Sequence, residues 1–168
     1  MTFLMAAMLV GGLTRLDGTY HQSRSGQQED QGVQKAAAAG KSTMKVHYID
    51  VGQGSAVLVQ SGVHFMLIDG GDSDASSKVV SYLKRQKVKK LDYVVVSHYD
   101  SDHLNGVVGA LNVFKVKRVI APAYTADSRV YESYCNIIAQ KKIATTRPKV
   151  GKKYKLGKAR FTILAPNS

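Results

Sequence analysis

Two histidines and two aspartates lie within six consecutive positions of this chain: His98, Asp100, Asp102 and His103. The apolar run 93–96 comes directly before them and predicts a buried strand, and the segment 104–111 after them favours a helix. A loop that leaves a buried strand can turn several side chains toward one point. Imidazole nitrogen and carboxylate oxygen together suit zinc, and also manganese or iron. The types and spacing of these four residues therefore predict a metal site.

Parts of this segment also have simpler explanations. Asp100, Ser101 or Asp102 could cap the helix that follows, and a lone histidine is more often an ordinary core or surface residue. The amino-terminal amides of that helix favour bound anions, including a phosphate group. Ser97 and Ser101 lie close by, but no histidine base is arranged beside them as in a serine hydrolase. The segment therefore favours a metal site over a serine nucleophile.

The elements that position this segment follow from the hydrophobic pattern. We expect the folded part to begin near Met44 with an antiparallel meander of three strands, at 44–51, 55–60 and 63–68. A helix capped by Ser73 or Asp74 should follow, and then a strand at 91–96 that is buried on both faces. Beyond the metal segment the pattern predicts a strand at 116–121, a helix at 127–140, and strands at 143–146 and 160–165. A meander followed by alternating helices and strands indicates an α/β domain with a mixed sheet.

The chain of 168 residues is strongly basic, with 24 Lys and Arg against 12 Asp and Glu, a formal net charge of +12. This balance favours an anionic partner such as nucleic acid or a membrane surface, unless a neighbouring segment carries compensating acids. The basic runs 84–90, 115–118 and 141–158 could steer a polyanion, or they are solvated faces. The single cysteine, Cys135, excludes a disulfide within the chain and a cysteine-based zinc site. Its apolar neighbours predict a buried, unreactive thiol.

The first residues form an apolar segment. Positions 2–13 are almost entirely apolar, but about 12 residues is short of the roughly 20 that span a bilayer. We interpret 1–16 as a signal-like or anchor segment, with a plain terminal helix as the alternative. The stretch 17–43 is rich in Gly, Gln, Ser and Ala and predicts a flexible linker. This organisation predicts a domain that is extracellular, or membrane-anchored and facing outside.

Three motifs in order resemble a known family. The segment 97–106, Ser-His-Tyr-Asp-Ser-Asp-His-Leu-Asn-Gly, resembles the metallo-β-lactamase superfamily signature His-x-His-x-Asp-His. The turn 68–71, Ile-Asp-Gly-Gly, is similar to an earlier Asp-Gly turn of that superfamily. Together with 48–54, Tyr-Ile-Asp-Val-Gly-Gln-Gly, these motifs resemble the extracellular hydrolase domain of the DNA-uptake protein ComEC and its free-standing secreted relatives. The resemblance covers 44–168 and implies the amino-terminal half of an αββα sandwich, a mixed β-sheet with flanking helices.

The resemblance also implies roles for the metal segment. His98 and Asp100 would ligate one divalent ion, and Asp102 and His103 would ligate a second. Asp102 would also orient or deprotonate the attacking water, as the catalytic residue. Asp100 stands where the superfamily has a second histidine, which shifts the preference of the site from zinc toward manganese or magnesium. The resemblance as a whole implies one or two divalent ions, zinc or manganese.

Residues around this segment would support it. Asp69 would brace the loop 97–103 (the metal loop) from behind. Asp50 and Gln53 would shape the adjacent loop without binding metal. Tyr99, inside the motif, could stack on a base or shield the metals. Asn105 replaces the first residue of the usual glycine pair.

The function that this resemblance implies is metal-dependent hydrolysis, most simply of phosphodiesters, as in a nuclease. The superfamily's later ligands would lie past Ser168, so the alternative is an inactive fragment or a metal- or anion-binding module with little turnover. A hydrolase of small esters or lactams is a further alternative, because one fold supports many substrates. We expect DNA or another phosphodiester as substrate, no stable protein partner, and contact with a membrane through an amino-terminal anchor.

Overall fold

The computed structural model describes residues 7–9, 33–36 and 43–165. Its strands are β1 Ala7–Leu9, β2 Val33–Ala36, β3 Met44–Tyr48, β4 Val57–Ser61, β5 His64–Ile68, β6 Lys90–Leu91, β7 Tyr93–Val95, β8 Lys115–Val116, β9 Arg118–Ile120, β10 Ala144–Thr146, β11 Lys153–Leu156 and β12 Ala159–Ile163. Its helices are α1 Ser73–Arg85, α2 Ser101–Val113 and α3 Arg129–Gln140.

Among the described residues, the main sheet has seven strands in the order β10-β9-β7-β5-β4-β3-β2. Strands β3, β4 and β5 form the predicted antiparallel meander. Strands β5, β7, β9 and β10 are parallel neighbours, so the predicted mixed sheet is confirmed. In the parallel part Ile68 pairs with Val95, and Val95 pairs with Ile120. The chain segments that follow β5 and β7 therefore leave the sheet at the same edge.

The sheet is covered on both faces. One face packs against the three helices in a core that includes Leu58, Leu67 and Val94. The opposite face packs against the hairpin of β11 and β12, where Phe161 and its neighbours cover Met66 and Val95. The described residues thus form helix, sheet and hairpin layers. Adjacent valines of β7 belong to different cores, which confirms the predicted burial on both faces.

Several boundaries differ from the predicted ones. Helix α1 is capped by Asp72, whose Oδ1 accepts from the Ser73 N–H at 2.6 Å, so the predicted Ser73 or Asp74 cap is wrong. Helix α2 starts three residues earlier than predicted, at Ser101. The predicted strand 91–96 is divided at Asp92, whose N–H donates to the Phe65 carbonyl. The run 141–158, which we interpreted only as basic, contains strand β11. The lysines of this strand alternate with Tyr154 and Leu156, which face inward.

The thiol prediction is wrong. Cys135 is exposed, whereas Tyr134 and Ile137 of the same helix are buried. Successive residues of a helix point about 100° apart, so a buried neighbour does not imply a buried thiol.

The amino-terminal predictions fall almost wholly outside the described residues. Within the predicted signal-like segment, β1 pairs antiparallel with β12. Within the predicted linker, β2 pairs antiparallel with β3. Backbone pairing at a sheet edge needs no apolar pattern, which is why composition did not indicate it. In the described part of the chain, no helix is both long enough and apolar enough to cross a membrane.

A buried histidine in β3 makes stability depend on pH. His47 is 1% exposed, and its Nδ1 lies 3.0 Å from the Tyr82 hydroxyl. Burial, with the charge of Lys45, lowers the pKa of His47. Between that lowered pKa and the usual value of about 6.5, the unfolded chain binds more protons than the folded protein. The contribution of His47 to stability is therefore complete above about pH 6.5 and is lost as the pH falls below it.

We expect His47→Leu to flatten this dependence. Below pH 6.5 the free energy of unfolding of the unsubstituted chain should fall more steeply than that of the variant, by up to about 1.4 kcal/mol per pH unit. Urea unfolding at intervals from pH 8 to pH 5 measures both slopes. Above pH 7 the two curves should differ by a constant amount. Parallel curves down to pH 5 would contradict the prediction.

Candidate metal centre

The candidate metal centre lies at the carboxyl edge of the parallel strands. Asp69 follows β5, and the segment 97–103 follows β7 and runs into α2. The Asp69 N–H donates to the Val95 carbonyl at 2.9 Å, which extends the pairing of β5 and β7 to the start of the site. Two adjacent parallel strands therefore deliver both motifs to one place.

Asp69 joins the two motifs through its carboxylate. It is 3% exposed and accepts three hydrogen bonds, from the Ser97 N–H at 2.8 Å, the Ser97 hydroxyl at 2.6 Å and His103 Nδ1 at 2.9 Å. Its φ of 54° is in the left-handed region, which aspartate adopts more readily than most residues. The structure thus places Asp69 directly behind the metal loop.

These bonds determine which nitrogen of each histidine is free. Since a carboxylate only accepts, His103 donates its Nδ1 proton to Asp69 and keeps an Nε2 lone pair. The Ser97 hydroxyl has one proton and gives it to Asp69, so at 2.9 Å it accepts from His98 Nδ1. His98 then also keeps an Nε2 lone pair. In this arrangement both imidazoles are in the form that binds a metal through Nε2.

The electrostatics of the site favour a cation. The hydrogen bond that His103 donates to Asp69 is the main cause that raises the pKa of His103, with further contributions from the charges of Asp69, Asp102 and Asp100. Burial acts in the opposite direction. A metal ion must displace the proton that this raised pKa favours, so metal affinity should fall as the pH drops through it.

Three of the four predicted ligands converge. One ligand atom each from His98, Asp102 and His103 lies within 4.8 Å of the other two, and the imidazole centroids are 4.0 Å apart. Their side chains are 12%, 27% and 19% exposed, respectively, so the group is sheltered but reachable. Two imidazole nitrogens and a carboxylate form a donor set that fits a divalent cation of the zinc or manganese type.

Asp100 stands apart from this group. Its side chain is 75% exposed, and its Oδ2 lies 3.5 Å from His98 Nε2. It occupies the N-cap position of α2, yet its side chain makes no capping hydrogen bond. The capping explanation therefore does not account for the carboxylate of Asp100, and the structure places it at the rim of the candidate site.

Close backbone packing holds the loop in place. The Gly70 N–H donates to the His103 carbonyl at 2.8 Å, and the Gly106 N–H donates to the Gly71 carbonyl at 3.3 Å. A Cβ added to Gly106 would overlap the Gly70 carbonyl. From the other side, the Ser55 N–H donates to the Asp102 carbonyl at 3.4 Å, so the loop that contains Gln53 lies against the metal loop.

Comparison with known proteins identifies the family. The profile of the metallo-beta-lactamase superfamily matches residues 49–156, more than half of the chain. The chain belongs to the metallo-beta-lactamase superfamily. Superfamily members usually bind divalent metal, in agreement with the donor set found here.

Two relatives of known name are similar in sequence. Recombination protein 2 of Haemophilus influenzae is 30% identical over 100 residues, 56% of this chain and 13% of its own length. Competence protein ComA of Neisseria gonorrhoeae is 41% identical over 58 residues, 34% of this chain and 8% of its own length. The predicted resemblance to competence proteins is confirmed. The chain thus matches a small part of each of these relatives.

Solved superfamily structures share the fold. A metallo-beta-lactamase of Cronobacter sakazakii superimposes with a TM-score of 0.53 at 17% identity, covering 71% of this chain and 50% of that one. A subclass B3 metallo-beta-lactamase, MEM-A1, from a soil metagenome library gives a TM-score of 0.53 at 20% identity, covering 70% and 48%. The chain spans about half the length of these structures, and the predicted fold is confirmed over the part they share.

The structure corrects the prediction for Tyr99. Tyr99 is 4% exposed, so it is not free to stack on a base. Its hydroxyl donates to the Pro122 carbonyl at 2.8 Å, and its ring packs on Tyr124, Tyr131 and Tyr134. Burial raises the pKa of Tyr99, and the hydroxyl stays protonated. Tyr99 thus points into the helix-side core, away from the histidines on either side of it.

Sequence reasoning missed the contacts of two residues around the candidate site. Ser97 connects Asp69 to His98, and its position between a buried strand and the first histidine was the available signal. Tyr124 is 45% exposed, and its hydroxyl accepts from the Tyr99 N–H at 3.0 Å. It holds the metal loop from a distant loop, and nothing in the local sequence indicates that contact.

Proposed function

We propose that this domain is a metal-dependent hydrolase of phosphodiesters, with DNA as its substrate. One observation carries the proposal: the side chains of His98, Asp102 and His103 converge, and the buried Asp69 lies behind them. Side chains of an ordinary surface loop would not be expected to converge with the Nε2 atoms of both histidines free.

Each residue has a defined part in the proposed chemistry. His98 and His103 would hold the ion through Nε2, and Asp102 would hold it through a carboxylate oxygen. A bound divalent cation supplies Lewis acidity, which makes water a nucleophile near neutral pH and stabilises negative charge on a phosphoryl oxygen. The Asp102 carboxylate, 3.7 Å from His103 Nε2, would orient the attacking water and accept its proton. Asp69 and Ser97 keep both imidazoles in the binding tautomer.

The charge of the chain supports a polyanionic substrate. A formal net charge of +12 favours DNA over a neutral ester or lactam. The names of the two sequence relatives refer to recombination and competence, and both processes concern DNA. We further propose that the domain acts outside the membrane, on the basis of the apolar segment at 2–13.

The test is an assay of the full chain with and without metal. After treatment with a chelator, the chain should cleave an activated aryl phosphodiester and single-stranded DNA only when Mn²⁺ or Zn²⁺ is added. Asp102→Asn should reduce the rate to the background level, since the amide cannot accept the proton of water. Asp127→Asn removes the same charge from an exposed aspartate outside the site and should leave the rate unchanged.

Other results would overturn this proposal. Metal-dependent cleavage of a chromogenic β-lactam or a small ester, with no cleavage of either phosphodiester, would assign a different substrate class. Metal binding without turnover of any of these substrates would favour a metal-binding module. Full activity of Asp102→Asn would show that Asp102 does not activate water.

A further inference from the structure

A second candidate site lies at the other end of the parallel strands, away from the metal loop. A cavity of about 610 Å³ opens there beside His64 at the start of β5, Tyr93 at the start of β7 and Lys117 just before β9. The metal loop follows the other end of β5. Five residues of strand separate the two regions by about 17 Å. One phosphate group cannot touch both.

The cavity is built by two hairpin turns that pack on each other. One turn joins β4 to β5, and the other joins β11 to β12 at Gly157. A Cβ added to Gly157 would lie 2.8 Å from both His64 Cδ2 and the Ser61 carbonyl oxygen. The Ala159 N–H donates to the Ser61 hydroxyl at 3.3 Å. These contacts bring lysines that are distant in sequence to the same cavity.

The lining carries positive charge that is not neutralised. Lys117, Lys155 and Lys158 line the cavity, and among the described residues none of them has a carboxylate within 4.0 Å. Asp92 also lines it, but its side chain is 9% exposed, and its two oxygens are engaged by His64 at 2.9 Å and by Lys90 at 3.8 Å. Three ammonium groups are therefore available to an anion that enters.

We propose that this cavity binds a phosphate-bearing ligand of about nucleotide size. Lysine ammonium groups bind phosphate as charge-assisted donors, and three lysines line this one cavity. The volume is within the range of small-molecule sites, roughly 300–1,000 Å³. Tyr93 also lines the cavity, and its half-buried ring packs edge-on against Tyr154 and Phe161. The phosphate belongs either to a free nucleotide or to a nucleic-acid strand, and the two sources are separable by experiment.

The test compares two variants of equal charge. Lys117→Gln/Lys155→Gln/Lys158→Gln removes the cavity charges, and Lys84→Gln/Lys142→Gln/Lys149→Gln removes the same charge from exposed lysines elsewhere. The full chain is titrated with inorganic phosphate, a nucleoside monophosphate and a ten-nucleotide single strand, all with a chelator present. The cavity variant should bind at least tenfold more weakly, and the control variant should change less than twofold for the two small ligands.

The histidine signals locate the ligand. In a spectrum of the ¹⁵N-labelled imidazoles, the resonances of His64 should shift on binding, whereas those of His98 and His103 should not. Saturable binding of the mononucleotide would assign a free nucleotide. Binding of the strand but of neither small ligand would assign nucleic acid. The slope of log K against log salt concentration should then be smaller by about 2 in the cavity variant. Equal weakening in both variants, shifts at His103 instead of His64, or no saturable binding would overturn the proposal.

The result is independent of the proposed hydrolase function. Binding at the cavity should survive His103→Ala and needs no metal, so loss of hydrolysis leaves it unaffected. Conversely, the chain could hydrolyse phosphodiesters while the cavity variant binds all three ligands normally. That result would support the proposed function and exclude the cavity as a binding site. Circular dichroism of both triple variants confirms that a loss of binding is not a loss of fold.

Discussion

Replacing Asp69 with asparagine should lower the divalent-metal affinity of the domain by roughly 10- to 100-fold. Asp69 accepts from three donors, two on Ser97 and one on His103. An asparagine side chain has one oxygen and an amino group, so at least one donor would face another donor. The site would relieve this by moving the His103 proton to Nε2, where it competes with the metal. Isothermal titration with Zn²⁺ or Mn²⁺ measures the change.

A double-mutant cycle separates this effect from general damage. His103→Ala should weaken binding at least as much as Asp69→Asn, and adding Asp69→Asn to His103→Ala should cost much less than it does alone. Asp74→Asn, an exposed aspartate in the first turn of α1, is the charge-matched control. The pKa of His103 should also fall in Asp69→Asn, because Asp69 is the main cause that raises it. Unchanged affinity in a folded Asp69→Asn variant would contradict the role of Asp69.

The second large effect is expected from Gly106→Ala, which should destabilise the domain by about 3 kcal/mol. The added methyl group would overlap the backbone of Gly70, and a backbone cannot move aside as a flexible side chain can. The displacement would also break the hydrogen bonds from Gly70 to His103 and from Gly106 to Gly71. Thermal and urea unfolding measure the loss of stability.

Gly109→Ala is the matched control, in the same helix. There the added methyl group meets the side-chain hydroxyl of Ser76, which can rotate away. Alanine also favours a helix over glycine by up to about 1 kcal/mol, a gain that both variants share. The free energy of unfolding of Gly109→Ala should therefore stay within about 1 kcal/mol of the unsubstituted value. Equal destabilisation of both variants would mean that the contact between Gly70 and Gly106 is not special.

The fold was predictable where local pattern and burial agree. The meander could be predicted because apolar residues alternate along each strand up to a tight turn. The burial of 94–96 could be predicted because a run of valines needs both faces of the sheet to be covered. Strand β11 was missed because its lysines dominate the composition of the segment 153–156. The pairing of β2 was missed for another reason, since edge pairing depends on backbone groups and leaves little trace in side-chain type.

The site was predictable as a set of residue types, less so as a geometry. Spacing alone indicates that His98, Asp102 and His103 share one loop. It does not indicate that the carboxylate of Asp100 stays 75% exposed while that of Asp102 turns inward, because this depends on where α2 begins. The role of Ser97 depends on a partner 28 residues away, and that of Tyr124 on one 25 residues away. Contacts of this kind are set by tertiary packing.

The buried position of Asp69 has a consequence for motion. Functional loops are commonly drawn from the least stable parts of a protein, where amides exchange readily with solvent. Here the Asp69 amide pairs with β7, the Gly70 amide pairs with α2, and the Ser97 amide donates to a carboxylate that is 3% exposed. These amides can reach solvent only when the strands and the helix separate. Both ends of the metal loop are therefore tied to the sheet and to α2, and we expect these three amides to exchange slowly.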